Sequence, residues 1–171
     1  MAECKLSIVP TDPYFLPTKD GIKKAKAVIK RINEYIDNAD IRVKQSDQPK
    51  FYTAADALES IACPRCSKTT KYNQFHPSDP DESEEIFRQF ILDAINAPDA
   101  LKHEVVVPCC GARLSLDDII FKDYAGRRTA AIGRFNLRIP DDDGYVAEEK
   151  AKIRIEKALG ASVVYVIEHH S

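Results

Sequence analysis

The 171-residue chain predicts an α+β fold built from two β-α-β halves, one at each end, with an insert between them. Three observations carry this. Both ends of the chain read strand, helix, strand. The middle breaks that rhythm. Four of the 5 cysteines fall in the middle, in the two groups CPRC and PCCG. Paired β-α-β halves imply a ferredoxin-like arrangement. The length suits one domain over residues 1–171, with the insert spanning residues 50–128 inside it.

The first half opens with CKLSIVP, a short strand closed by the Pro-rich turn PTDPYFLP. TKDGIKKAKAVIKRINEYID then places Ile22, Ala25, Ile29, Ile32 and Ile36 on one face at helical spacing, with Asp20 placed to cap its start. DIRVKQ alternates Ile41 and Val43 with polar residues, as a half-buried strand does. In the second half, IGRFNLRIP alternates Phe135, Leu137 and Ile139 with Arg134, Asn136 and Arg138. DDDGYVAEEKAKIRIEKALG has acids first, lysines later and Gly160 as a stop, which agrees with the helix dipole. The acidic run in PDDDG lacks a calcium-loop ligand pattern and reads as a turn before that helix. SVVYVIE is an almost continuous apolar run and predicts a central strand buried on both faces.

The insert starts with a short helical pattern, AADALESIA, that leads into CPRC. A polar loop follows, in which Asp81 and Glu84 have capping-box spacing. The next helix, EEIFRQFILDAIN, would bury Ile86, Phe87, Phe90, Ile91 and Ala94 and stop before Pro98. After the apolar HEVVVP and the cysteine pair comes SLDDIIF, expected as a short helix.

Cys63 and Cys66 have the two-residue spacing with which one tight turn grips a single ion. Cys109 and Cys110 are adjacent, and a disulfide between neighbours is strained, so the pair calls for another use. Four thiolates suit a tetrahedral Zn2+ in a structural role, and Gly111 allows the backbone to turn around it. The expected ligands are therefore Cys63, Cys66, Cys109 and Cys110. If only one of the adjacent pair reaches the ion, His76 or His103 would complete the shell. The competing readings are buried unligated thiols and a redox C-x-x-C; the latter leaves the second pair unexplained. Cys4 stands apart, beside the first strand, and is expected as a small buried apolar residue.

CPRC, followed by VVVPCCGARLSLDDIIF, AAIGRFNLRIP and LGASVVYVIEHH, resembles a family of uncharacterised bacterial proteins. Their pattern is C-P-x-C, a later P-C-C-G with a Ser-Leu-Asn/Asp helix, an aromatic–Arg–Phe strand and a closing Leu-Gly strand. The similarity spans roughly the last two-thirds of the chain. At AAIGRF the sequence departs from it, where the family shows Gly-Phe-Ala-Arg-Phe. The resemblance implies a zinc-ribbon-like site and a shared fold; it implies no activity.

Net charge of -2 gives no bulk attraction to nucleic acid or anionic lipid. The opening MAECKLSIVP has too short an apolar run for a secretion signal, and no stretch suits a membrane helix, so a cytoplasmic location is expected. No G-x-S-x-G, P-loop, H-E-x-x-H or dinucleotide glycine motif is present, and the expectation is a non-enzyme. The expected function is a small zinc-binding protein that acts as a protein–protein binding module; a bacterial immunity or antitoxin protein is one instance. The alternative is a nucleic-acid-binding zinc ribbon. It would use the ridge of Lys19, Lys23, Lys26 and Lys30, with Lys24 and Arg31 beside it, extended by Arg127, Arg128, Arg134 and Arg138. A third reading is a metal-dependent enzyme whose site is open at one cysteine. His169 and His170 are expected as a solvated tail rather than as ligands.

Overall fold

A computed structural model describes residues 3–53, 60–71, 89, 91–107, 109–122 and 129–170. It is a mixed α+β structure with antiparallel sheets. β1 (Glu3–Pro10) and α1 (Lys19–Ile32) lead to β2 (Arg42–Thr53). The middle of the chain holds β3 (Ser60–Ala62), β4 (Thr69–Lys71), the helical residues 91–96 (α2), β5 (Glu104–Val106), β6 (Arg113–Ser115) and β7 (Ile120–Lys122). β8 (Ala130–Pro140), α3 (Glu149–Leu159) and β9 (Val163–His170) complete it.

The main sheet has the order β2-β8-β1-β9, and all three pairings are antiparallel. α1 and α3 pack against each other over one face. The alternation of β8 is the cause: Phe135, Leu137 and Ile139 are at most 1% exposed and meet Leu6, Ile8, Ile29 and Ile155 in the main core. Asn136, on the intervening position, is also buried; its amide donates to the Ser7 hydroxyl at 3.3 Å.

Several expectations change at the element ends. Thr18, not Asp20, caps α1, its hydroxyl accepting from the Gly21 N–H at 3.0 Å. Asp20 instead lies in the first turn and pairs with Lys24 at 2.9 Å. The helix stops at Ile32, because the Asn33 side chain accepts from the Tyr35 N–H and turns the chain. Ile36 still reaches the main core from outside the helix. Cys4 is half-buried rather than buried.

β9 is an edge strand and not a central one. Its apolar run has a different origin: Val163, Tyr165 and Ile167 face the main core, while Val164 and Val166 join Val9, Ala131 and Tyr52 in a small cluster on the other side. His169 and His170 belong to this strand, in register with Cys4 and Glu3, so they are not a tail.

The acidic run before α3 is outside the helix. Asp141 is 1% exposed, and its carboxylate accepts from Val146 N–H at 3.0 Å and Ala147 N–H at 2.9 Å. It therefore folds the loop that precedes the helix. Gly160, at φ 81°, ends α3 as expected.

The middle segment has its own core. β3 lies between β4 and β7, β5 pairs with β6, and Ile61, Val105, Val107, Leu114, Leu116 and Phe121 are buried together. β2 and β8 reach into it: β2 continues to Thr53, and Phe51 packs on Phe121 with ring centroids 5.2 Å apart. Residues 60–62, expected at the end of a helix, are strand, and residues 54–59 lie outside the described residues. Only a 3-10 turn forms at Leu116–Asp118, held by the Ser115 hydroxyl donating to Asp118 at 2.7 Å; Ile120 and Phe121 pair with β3 instead of continuing a helix. Ile91 and Ala94 are buried as expected; Ile86, Phe87, Phe90 and the Asp81–Glu84 box lie outside the described residues.

Two predictions follow from the main sheet. A Cβ at Gly133 would sit 2.8 Å from Cγ1 of Val9, which is fully buried. Gly133→Ala should therefore lower the unfolding free energy by roughly 1–3 kcal/mol in urea titrations, and adding Val9→Ala should cost less than the two single losses summed. Burial pushes the Asp141 carboxyl above its usual range, against the two N–H donors. A raised folded pKa means the folded state binds the proton more readily, so this contribution to stability grows as pH falls through the carboxylate range. The stability difference between the natural chain and Asp141→Asn should shift in favour of the natural chain between pH 7 and pH 4.5; a flat difference would contradict the assignment.

Candidate metal centre

Two hairpins build the site. In the first, β3 runs into Cys63, whose N–H donates to Lys68 O at 3.0 Å, while its carbonyl accepts from the Ser67 N–H at 3.0 Å. Ser67 takes a left-handed φ of 62°, which lets the chain reverse within this span. In the second, β5 runs into Val107, and Gly111 turns the chain at φ 69°. Cys66 and Cys110 are exposed, Cys109 is half-buried, and Cys63 is buried.

The four sulfurs converge between the hairpins. Cys66 Sγ lies 3.4 Å from Cys109 Sγ, Cys63 Sγ lies 3.9 Å from Cys110 Sγ, and the four atoms are within 4.8 Å of one another. A tetrahedral metal with sulfur bonds of about 2.3 Å has sulfur–sulfur edges of about 3.8 Å, so the group has the right size for one ion. All four are free thiols, and together they could hold a metal ion. Both members of the adjacent pair reach the group, each facing a different cysteine of the first hairpin.

The electrostatics of the group are divided. N–H donation from Cys66, with a further donor at Arg65, holds the Cys63 thiol down to about 7 against the opposing effect of burial. Burial, then hydrogen bonds with Cys66, Cys63 and Cys110, push Cys109 up to about 12. Cys63 thus favours the thiolate and Cys109 the thiol. A bound cation reverses this balance by stabilising every thiolate at once.

The other candidates fall elsewhere. His103 ends a 3-10 turn and is not in the sulfur group, and His76 lies outside the described residues. Among the lysines of α1, Lys19, Lys23, Lys24 and Lys30 are exposed and Lys26 is half-buried. Arg134 Nε donates to Ser46 O at 3.1 Å and Arg138 pairs with Glu168, which occupies both with neighbours in the sheet. Arg127 and Arg128 lie outside the described residues. Among the described residues, no helix is long and apolar enough to cross a membrane. Comparison of the chain with protein-family models, with curated proteins and with solved structures finds no match.

Cysteine spacing alone does not reveal the likeness between the two hairpins. Its signal was present: CPRCSK and VPCCGA share a proline in second place and a cysteine in fourth.

Replacing any one of Cys63, Cys66, Cys109 or Cys110 by Ser should strongly weaken metal binding, because each supplies one of four sulfurs. Cys4→Ser should leave metal content unchanged. Metal content and melting temperature of the five variants test this; an unaffected Cys109 or Cys110 variant would remove that residue from the ligand set.

Proposed function

We propose that the chain is a zinc protein in which Cys63, Cys66, Cys109 and Cys110 hold one structural Zn2+, and that it works as a binding module for another protein rather than as an enzyme. The observation that carries the metal reading is the convergence of four sulfurs within 4.8 Å from two separate hairpins. An all-sulfur tetrahedron suits zinc or iron, and four cysteines are a usual shell of structural zinc, as in zinc ribbons. A shell filled by four thiolates has no position for substrate or water, which argues against catalysis at the metal.

The fold reading supports the same picture. The order β2-β8-β1-β9, with a helix after β1 and another after β8, favours ferredoxin-like halves. The two short hairpins between them favour a zinc-ribbon-like insert over residues 50–128 of one domain. Support for a protein partner comes from exposed large apolar side chains, among them Tyr35 at 83%, Ile153 at 57% and Tyr14 at 56%. A bacterial immunity or antitoxin protein remains one instance of such a module, and a cytoplasmic setting keeps the thiols reduced for the metal.

The chain purified without chelator should carry about one zinc per molecule by plasma spectrometry, and chelation should lower its melting temperature. Iron in place of zinc, or no metal in stoichiometric amount, would defeat the zinc reading. The lysine ridge supplies a second test. Binding to single- or double-stranded nucleic acid at physiological salt should be absent; a sub-micromolar complex abolished by Lys23, Lys26 and Lys30→Glu would replace the protein-binding reading with a nucleic-acid one.

A further inference from the structure

We infer that the second hairpin is the same ligand-bearing turn as the first with one ligand moved two residues along the chain, from the place held by Val107 to Cys109. This rests on the metal reading above and specifies how the site is built. The turns that begin at Cys63 and at Val107 match at the first, fifth and sixth places, which close them. In each, the first N–H donates to the sixth carbonyl, Cys63 to Lys68 and Val107 to Ala112, both at 3.0 Å. In each, the first carbonyl accepts from the fifth N–H, that of Ser67 at 3.0 Å and that of Gly111 at 2.9 Å. The fifth residue is left-handed in both, at φ 62° and 69°. The flanking strands join in the same register, Ala62 opposite Thr69 and Val106 opposite Arg113.

With the turns aligned, Cys66 and Cys110 occupy the same fourth place. The difference lies elsewhere: the first hairpin has cysteine in first place and Arg65 in third, whereas the second has Val107 in first and Cys109 in third. Cys63 and Val107 are equally interior, 4% and 2% exposed, and belong to one buried cluster. Position 107 is thus a ligand place filled by a hydrocarbon side chain, and the third place of the turn reaches the same sulfur group, as the 3.4 Å between Cys109 and Cys66 shows. The cysteines are adjacent because the second ligand pair uses places three and four instead of one and four.

The halves are consequently unequal. The Cys63 sulfur receives backbone N–H groups of its own turn. Val107 has no acceptor to offer the matching groups of the second turn. Either placement should nevertheless complete the shell.

The test is titration with Co2+, whose visible bands report tetrahedral thiolate coordination, on the full chain. Cys109→Ala and Cys63→Val should each weaken Co2+ binding by about 100-fold or more through loss of one thiolate. Val107→Cys added to Cys109→Ala should restore binding to within about tenfold of the natural chain, because it rebuilds places one and four. The mirror exchange, Arg65→Cys added to Cys63→Val, should do the same for the first hairpin. Recovery in either double variant supports the shift. Recovery in neither, whether binding or folding fails, overturns it. A natural chain that binds no Co2+ would defeat the metal reading itself, an outcome visible before any variant is made.

Discussion

Four sulfurs within 4.8 Å cannot all be thiolates unless something positive lies among them, and the middle third of the chain is organised around that constraint. Backbone N–H donors hold Cys63 down to about 7, while burial first, and then the neighbouring sulfurs, push Cys109 up to about 12. Thiolates packed this closely repel one another across less than 5 Å of partly dry space. A divalent cation converts this mutual repulsion into four attractions. The hairpins that present the sulfurs are not stable units in isolation: among the described residues, β3, β4, β5, β6 and β7 are each three residues long. Their fixed geometry depends on what joins them.

Two things join them. One is the sulfur cluster, which ties the β3–β4 turn to the β5–β6 turn. The other is the second core, whose floor comes from the long strands of the main sheet. β2 pairs with β8 at Val43 and Leu137, departs from register between Gln45 and Lys50, and pairs again at Phe51 and Ile132. The departure lets one pair of strands serve two cores. Residues before it face α1 and α3, and residues after it, above all Phe51, pack under β7. Gly133 sits at the change because Val9 crosses there too closely for a side chain. The Lys50 ammonium, donating to the Pro98 carbonyl at 2.9 Å, fastens the segment after α2 to the same stretch of β2.

Much of this was readable from the residues, and the failures have physical causes. The halves were legible because their patterns are long: the Phe135–Leu137–Ile139 alternation and the Ala25–Ile29 spacing repeat enough to fix element type. Strand position was not legible. VVYVI looks central, yet β9 is an edge whose second face is apolar only because Val166 meets Val9 and Ala131, residues distant in sequence. The short strands were also missed, since three residues carry no periodicity; Ser60–Ala62 and Ile120–Lys122 are strands through their pairing with each other and not through local preference. Local hydrogen bonds decided the ends: Thr18 over Asp20 at one helix, Asp141 over a longer helix at the other. The four cysteines were legible as a group, because C-x-x-C and the adjacent pair each offer sulfurs from one turn; that both Cys109 and Cys110 reach the group was not, since neighbouring side chains ordinarily diverge.

Adjacent cysteines would diverge on a regular strand, where successive side chains point to opposite faces. They converge here because both lie inside the reversal, bracketed by the Val107–Ala112 and Gly111–Val107 hydrogen bonds. Within such a turn the alternation is suspended, and adjacent side chains can meet one point. Gly111 makes the reversal inexpensive, its left-handed φ needing no Cβ, whereas Ser67 achieves the same angle at some strain in the first hairpin. The unusual cysteine spacing and the ordinary backbone are therefore compatible: the two turns close alike, and the cysteines are distributed over them differently. A sequence pattern defined only by C-x-x-C would find the first half of this centre and overlook the second, although the backbone treats the two alike.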